Sequence, residues 1–122
     1  HVLRDPTRGG VATTIKEIAL QSGVAITLRE DALPVKPSVR GVCSILGLDP
    51  LFVANEGKLL AFVAADAADS ALAVIRRHPL GANAAIIGLV EAAPSGRVRM
   101  ETGIGGMRSV EMLAGEQLPR IC

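Results

Sequence analysis

The spacing of apolar side chains predicts three helices, over residues 9–22, 38–46 and 66–78. In the first, Val11, Ile15 and Ile18 recur at helical spacing on one face. Gly23 follows as a stop signal, because glycine readily takes the left-handed conformation that ends many helices. Ser38 is the predicted N-terminal cap of the second helix, since its hydroxyl can accept a hydrogen bond from a free backbone amide.

Alternating and continuous apolar runs predict the first strands. Residues 24–29 place large apolar side chains at every second position, which is the period of a half-buried strand. Residues 51–54 and 59–65 are two further apolar runs, separated by the polar residues 55–58. We interpret this segment as strand, turn and strand.

The last third of the chain is predicted to hold a hairpin and then a loop. Residues 83–92 and 97–101 flank a Pro-Ser-Gly turn, so we expect these two arms to pair with each other. After Glu101, three closely spaced glycines indicate more loop than regular structure.

Helices interleaved with strands indicate an α/β (α+β) fold, with helices packed on one face of a mixed or antiparallel sheet. A chain of 122 residues suits one core. We expect a domain over residues 1–114 and a flexible tail over residues 115–122. The first residues, HVLRDPTRGG, include no initiating methionine, so we also expect a domain cut from a longer protein.

Composition excludes several functional classes. The formal net charge is only +1, and two phenylalanines are the only aromatic side chains of the Phe, Tyr and Trp type, which disfavours nucleic acid as a partner. No uninterrupted apolar run approaches the about 20 residues that cross a bilayer, so no membrane partner is expected. The two cysteines, Cys43 and Cys122, form no CxxC motif, so we predict a reduced cytoplasmic protein and assign no metal ligands.

The first candidate site is the segment RDPTRGG directly before the first helix. Free amides at a helix start favour an anion, and small residues allow it to approach closely. Two arginines could add charge to a bound phosphate. The alternative is a capped helix with solvated arginines. The predicted cofactor-binding residues are Arg4, Asp5, Thr7, Arg8, Gly9 and Gly10.

Two other motifs carry a weaker signal. Glu56, in the sequence ANEGK, lies between two apolar runs, where a carboxylate could serve as a general base. The alternative is an ordinary turn, since Asn and Gly are common turn residues. The glycines of TGIGGMR lack the spacing of a dinucleotide-binding motif, and a tight turn explains them equally well.

The chain ends in LPRIC, with a thiol at its last position. A terminal residue contributes little to a core, and residues 115–122 could span about 26 Å if extended. Cys122 could therefore carry a group between distant sites, although chance is the alternative explanation of its position.

These motifs together resemble the C-terminal domain of the HypE family of hydrogenase maturation proteins, in the aminoimidazole ribonucleotide synthetase-like superfamily. The segments that carry the resemblance are RDPTRGGVAT, DPLFVANEGKLL and IGGMRSVEMLAGEQLPRIC. The resemblance covers nearly the whole chain, and the closing PRIC is its most specific part.

The resemblance implies an activity for the full-length protein, an ATP-dependent carbamoyl dehydratase. Cys122 would accept a carbamoyl group from the carbamoyltransferase HypF. Dehydration with ATP would give a thiocyanate, and the cyanide would pass to iron on the HypC–HypD scaffold for nickel-iron hydrogenase. Glu56 matches the family's NEG position and would be the base. The family also implies a homodimer, with ATP and Mg²⁺ bound mainly by an N-terminal domain absent from this chain, so this part alone is expected to be inactive.

Two alternatives remain. One is another member of the superfamily, such as selenophosphate synthetase, phosphoribosylformylglycinamidine synthase or thiamine monophosphate kinase, none of which is expected to end in PRIC. The other is a non-enzymatic docking module. Cys122→Ser distinguishes docking from carrier chemistry, because docking should largely survive the loss of the sulfur.

Overall fold

The computed structural model describes residues 1–92 and 95–112. Within these ranges, the helices are α1 (Gly10–Ser22), α2 (Pro37–Leu46) and α3 (Ala68–Arg76). The strands are β1 (Val2–Arg4), β2 (Ala25–Arg29), β3 (Leu60–Phe62), β4 (Gly88–Glu91), β5 (Val98–Glu101) and β6 (Met107–Ser109). The predicted tail, residues 115–122 with Cys122, lies outside the described residues.

The described strands form two sheets. The larger has the order β4-β2-β5-β6, in which β2 and β5 run parallel and the other neighbours run antiparallel. The smaller pairs β1 with β3 in antiparallel fashion. The prediction of an α/β fold with a mixed sheet is therefore confirmed.

The core lies between α1 and the central strands β2 and β5. Ile15 of α1 is 1% exposed, and the cross-strand partners Leu28 and Met100 are 2% and 1% exposed. Burial of each such side chain stabilises the fold by about 2 kcal/mol relative to exposure. The opposite face carries polar side chains such as Thr27 and Arg99, so α1 covers one face of the sheet.

The predicted boundaries of α1 and β2 agree closely with the structure. Gly23 has a φ of 66°, and its N–H donates to the carbonyl of Ala19 at the end of α1. The alternation of residues 24–29 is also seen, since Ile26 and Leu28 are buried in β2. These two elements are specified locally, by a helical stripe with a glycine stop and by a two-residue period.

The cap predicted for α2 is wrong. The residue before the helix is Lys36, Pro37 occupies the first turn, and no side chain caps the helix. Proline suits this position, because its fixed φ fits a helix and its missing N–H would have had no helical partner. The third helix, α3, is shorter than predicted, since a 3₁₀ turn over Ala65–Ala67 precedes it.

The predicted hairpin of residues 83–92 and 97–101 is also wrong. The strands β4 and β5 both exist, but β2 lies between them and pairs with each. The alternating apolar residues of β5, Val98 and Met100, are buried beside β2 in the middle of the sheet. The closeness of β4 and β5 in the sequence does not reveal this position. The hairpin of this region is instead formed by β5 and β6, and β6 falls in the segment predicted to be loop.

Two further corrections concern the N-terminal half. The run at residues 51–54 is not a strand, because Pro50–Phe52 forms a 3₁₀ turn whose Leu51 enters the core. The second predicted strand of this segment does exist, as β3, but its partner is β1, which was not predicted. Both corrections affect the candidate site, because β1 and this turn flank it.

Candidate functional site

The two loops that carry the predicted site residues are in direct contact. We call residues 4–10 the N-terminal loop and residues 53–58 the Glu56 loop. The backbone N–H of Asn55 donates a hydrogen bond of 3.1 Å to the carbonyl of Pro6. Pairing of β1 with β3, in register Arg4 to Leu60, also brings the two segments together. The fold therefore places Glu56, the residue after Asn55, beside the N-terminal loop.

A side-chain hydrogen bond joins Asp5 and Thr7 in the N-terminal loop. The hydroxyl of Thr7 donates to Oδ2 of Asp5 at 2.7 Å. This hydrogen bond is the main cause that lowers the pKa of the Asp5 carboxyl below its ordinary value, with a smaller contribution from a backbone hydrogen bond. Asp5 is exposed, and it presents an ionised carboxylate at neutral pH.

The two arginines of the N-terminal loop have different surroundings. Nη2 of Arg4 lies 3.3 Å from Oε2 of Glu17 on α1, so its charge is partly compensated. Arg8 is exposed, and within residues 1–92 and 95–112 no side chain pairs with its guanidinium. Arg8 is therefore the arginine of this loop whose charge is available to an anion.

Gly9 and Gly10 both have positive φ, at 64° and 65°. A Cβ at Gly10 would lie 2.6 Å from the carbonyl oxygen of Val53, and a Cβ at Gly9 would lie 2.6 Å from Cβ of Thr13. Both positions therefore require glycine, because a Cβ at either one would clash with neighbouring atoms of the protein. Their contact with a phosphate remains a prediction, and the amides of the first turn of α1 are not capped by a side chain.

Glu56 lies in an exposed turn. The side-chain amide of Asn55 donates to the carbonyl of Val53 at 2.9 Å, and the chain bends at residues 56 and 57, where Gly57 has a φ of 68°. Among the described residues, none donates a hydrogen bond to the Glu56 carboxylate. The carboxylate is thus held on an ordered turn and is accessible from solvent.

Two residues that fix the turn before the Glu56 loop, Asp49 and Arg108, were not predicted from the sequence. Oδ1 of Asp49 accepts a hydrogen bond of 2.9 Å from the N–H of Leu51, and Oδ2 accepts one of 2.6 Å from Nη2 of Arg108. The sequence Asp-Pro is a turn signal that could have revealed the first contact. The second joins residues that are 59 positions apart and has no local signal.

The glycines of TGIGGMR form the tight turn between β5 and β6. The N–H of Thr102 donates to the carbonyl of Gly106 at 2.8 Å, and the N–H of Gly105 donates to the carbonyl of Thr102 at 2.9 Å. Ile104 at the tip is 98% exposed. The turn interpretation of this motif agrees with the structure.

The two cysteines and the absence of metal ligands were also predicted. Cys43 is buried on α2, whereas Cys122 is outside the described residues. In the part of the chain that the structure describes, no group of three or more His, Cys, Asp or Glu side chains could hold a metal ion. None of the described helices has the length and apolar character needed to traverse a bilayer.

Comparison with known proteins identifies the family. Residues 1–101 match the model of the AIR synthase related protein, C-terminal domain. The carbamoyl dehydratase HypE of Rhizobium leguminosarum bv. viciae is 58% identical over 122 residues, which are 100% of this chain and 35% of that protein. The chain thus spans about a third of the length of this curated relative.

Two solved structures have the same fold. The crystal structure of the hydrogenase maturation protein HypE in complex with ATP has a TM-score of 0.92 and 55% identity, over 100% of this chain and 38% of that one. A HypE–HypF complex has a TM-score of 0.86 and 45% identity, over 92% of this chain and 36% of that one. The chain therefore belongs to the AIR synthase related protein family, as a C-terminal domain similar to that of HypE.

Proposed function

We propose that this domain is part of a full-length ATP-dependent carbamoyl dehydratase, which converts a carbamoyl group on Cys122 to a thiocyanate. The names of the relatives support this activity. The structural observation that carries it is the hydrogen bond from Asn55 to Pro6, which brings the Glu56 loop and the N-terminal loop into one site. The cyanide would serve the iron of nickel-iron hydrogenase.

The chemistry requires a base and an activating group. The S-carboxamide must lose its oxygen and both N–H protons to become a nitrile. ATP supplies the activation, since its γ-phosphoryl group takes up the carboxamide oxygen, which leaves as phosphate. A carboxylate near the amide nitrogen can accept a proton. Glu56 fits this role, because its carboxylate is exposed on an ordered turn.

The N-terminal loop is proposed to contact the phosphates of ATP. Arg8 offers a charge that no described side chain compensates, and the amides at the start of α1, which no side chain caps, favour an anion. The ionised carboxylate of Asp5 would repel a bare phosphate, so the loop fits a nucleotide whose charge is reduced by Mg²⁺. Most of the ATP and Mg²⁺ site is proposed to lie on the N-terminal domain.

The proposed partners follow from the reaction sequence. HypF would transfer the carbamoyl group to Cys122, and a relative is known in a HypE–HypF complex. The HypC–HypD scaffold would receive the cyanide. The full-length protein would act as a cytoplasmic homodimer. The carboxylate of Glu111 lies 2.8 Å from Nζ of Lys16, which ties this residue to α1. From there to Cys122 an extended chain could span about 36 Å.

The role of Glu56 is tested with Glu56→Gln in the full-length protein. We expect dehydration to slow by about a hundredfold or more, because the base is lost, while HypF still carbamoylates the cysteine. Mass spectrometry of the C-terminal peptide would then show the carbamoyl adduct accumulating in place of the nitrile. Glu101→Gln, at an exposed carboxylate on β5, is the control. Unchanged nitrile formation in Glu56→Gln would exclude Glu56 as the base.

A further inference from the structure

An ion pair links the edge of the larger sheet to the turn before the Glu56 loop. Arg108 is the cross-strand partner of Met100, so its side chain lies on the same face of the sheet as that buried residue. From there, Nη2 of Arg108 reaches Oδ2 of Asp49 at 2.6 Å. Arg108 belongs to β6, which pairs with β5, so its backbone position is set by the sheet. Its guanidinium in turn holds the carboxylate of Asp49.

The strand that carries Arg108 is itself fixed to the body of the domain. Val110 is 1% exposed, and its N–H donates to the carbonyl of Val98 at 2.9 Å. One residue further, Glu111 pairs with Lys16 of α1 at 2.8 Å. The backbone that carries Arg108 is therefore fixed independently of the turn that carries Asp49.

Asp49 is connected to the candidate site by the backbone of residues 50–55. Its Oδ1 accepts the N–H of Leu51, which starts the 3₁₀ turn Pro50–Phe52. This turn packs against the start of α1, where a Cβ at Gly10 would lie 2.6 Å from the Val53 oxygen. Two residues later, Asn55 donates to Pro6. Contacts at Asp49, Leu51 and Asn55 thus tie this segment to β6 at one end and to the N-terminal loop at the other, and Glu56 is the next residue in the chain.

We propose that Asp49 and Arg108 are positioning residues that hold the Glu56 carboxylate beside the N-terminal loop. This inference rests on the proposed dehydratase function for its catalytic consequence. The ion pair is 28% exposed at Asp49 and 39% exposed at Arg108, so its contribution to global stability is small. Its effect is on geometry, since displacement of a catalytic group by about 1 Å can slow a reaction by about a hundredfold.

The test uses the full-length protein with Arg108→Gln and, separately, Asp49→Asn. Both changes remove the ion pair, and Asp49→Asn keeps an amide oxygen for the N–H of Leu51. Arg99→Gln is the matched control, because Arg99 lies on the neighbouring strand β5, is 36% exposed and approaches Glu91 only to 3.8 Å. Each variant is also made in a Glu56→Gln background.

Two quantities are measured at saturating ATP, the rate of dehydration of the carbamoylated cysteine and the hydrogen-exchange rate of the Asn55 amide. We expect dehydration to slow by about tenfold and exchange to rise about threefold or more in both variants, within the range of coupling between contacting residues. Carbamoylation by HypF and the melting temperature should match those of Arg99→Gln. In the Glu56→Gln background, Arg108→Gln should slow dehydration no further, because the group that it positions is already lost.

The outcomes separate this proposal from the dehydratase function. Exchange of Asn55 as slow as in Arg99→Gln would overturn the positioning role. Equal slowing by Arg108→Gln with and without the Glu56 carboxylate would also overturn it, because the effect would then be a general structural one. A wild-type protein that forms no nitrile would contradict the dehydratase function alone, and the exchange of Asn55 would still decide whether Arg108 positions the loop.

Discussion

At the scale of single residues, the N-terminal loop combines internal packing with exposed chemistry. Gly10 turns the chain into α1 at a φ of 65° and lets the backbone of Val53 approach closely. On the outer side of the same loop, Asp5 and Arg8 are exposed. The sequence shows that glycines and charged residues occur together here, but it does not show that the space beside Gly10 is occupied by the protein itself.

The packing of Gly10 predicts a large cost for Gly10→Ala. We expect the free energy of unfolding to fall by about 3 kcal/mol, from a strained positive φ and from contact with the Val53 oxygen. Gly57→Ala is the control, because Gly57 has a φ of 68° and open space around its Cα. It should cost only about 1 kcal/mol. Equal costs, measured by urea unfolding, would contradict the close contact at Gly10.

The hydrogen bond from Thr7 predicts a pH dependence. Because the pKa of Asp5 is lowered in the folded protein, the unfolded state binds more protons in acid. Asp5 therefore adds stability above the ordinary pKa of aspartate, and this is lost as the pH falls through the lowered pKa. Thr7→Val should raise the pKa of Asp5, measured by NMR titration, whereas Thr7→Ser should not. An unchanged pKa in Thr7→Val would show that the hydroxyl is not the cause.

At the scale of elements, local patterns predict some segments and tertiary pairing decides others. The apolar stripe of α1 and Gly23 specify that helix without reference to the rest of the chain. The strands β4 and β5 could not be placed correctly, because insertion of β2 between them depends on parallel pairing with distant residues. The 3₁₀ turn at Pro50–Phe52 could not be predicted for a similar reason. Its apolar run is also typical of a strand, and only its packing on α1 distinguishes the two.

The central role of α1 predicts the effect of truncating Ile15, which is 1% exposed. Ile15→Ala should lower the free energy of unfolding by about 3 kcal/mol, because it removes buried methyl groups and leaves a cavity. Ile104→Ala, at a side chain that is 98% exposed, should change it by less than about 0.5 kcal/mol. Chemical denaturation of both variants provides the comparison. A small effect at Ile15 would contradict packing of α1 on the sheet.

At the scale of the whole molecule, the candidate site is assembled from segments far apart in the chain. The sequence motifs around Arg8 and Glu56 can each be recognised separately, and the resemblance to HypE assigns both to one site. The contact itself depends on β1 pairing with β3 and on Asn55 donating to Pro6. The anchor from Arg108 to Asp49 could not be predicted, because nothing in either local sequence specifies the other.

Cys122 is proposed to carry the group that the full-length protein dehydrates. The direct test incubates the full-length protein with HypF, carbamoyl phosphate and ATP, and measures the mass of the C-terminal peptide. We expect a carboxamide or cyano adduct on Cys122. An unmodified peptide, with HypF shown to be active on a control acceptor, would contradict it.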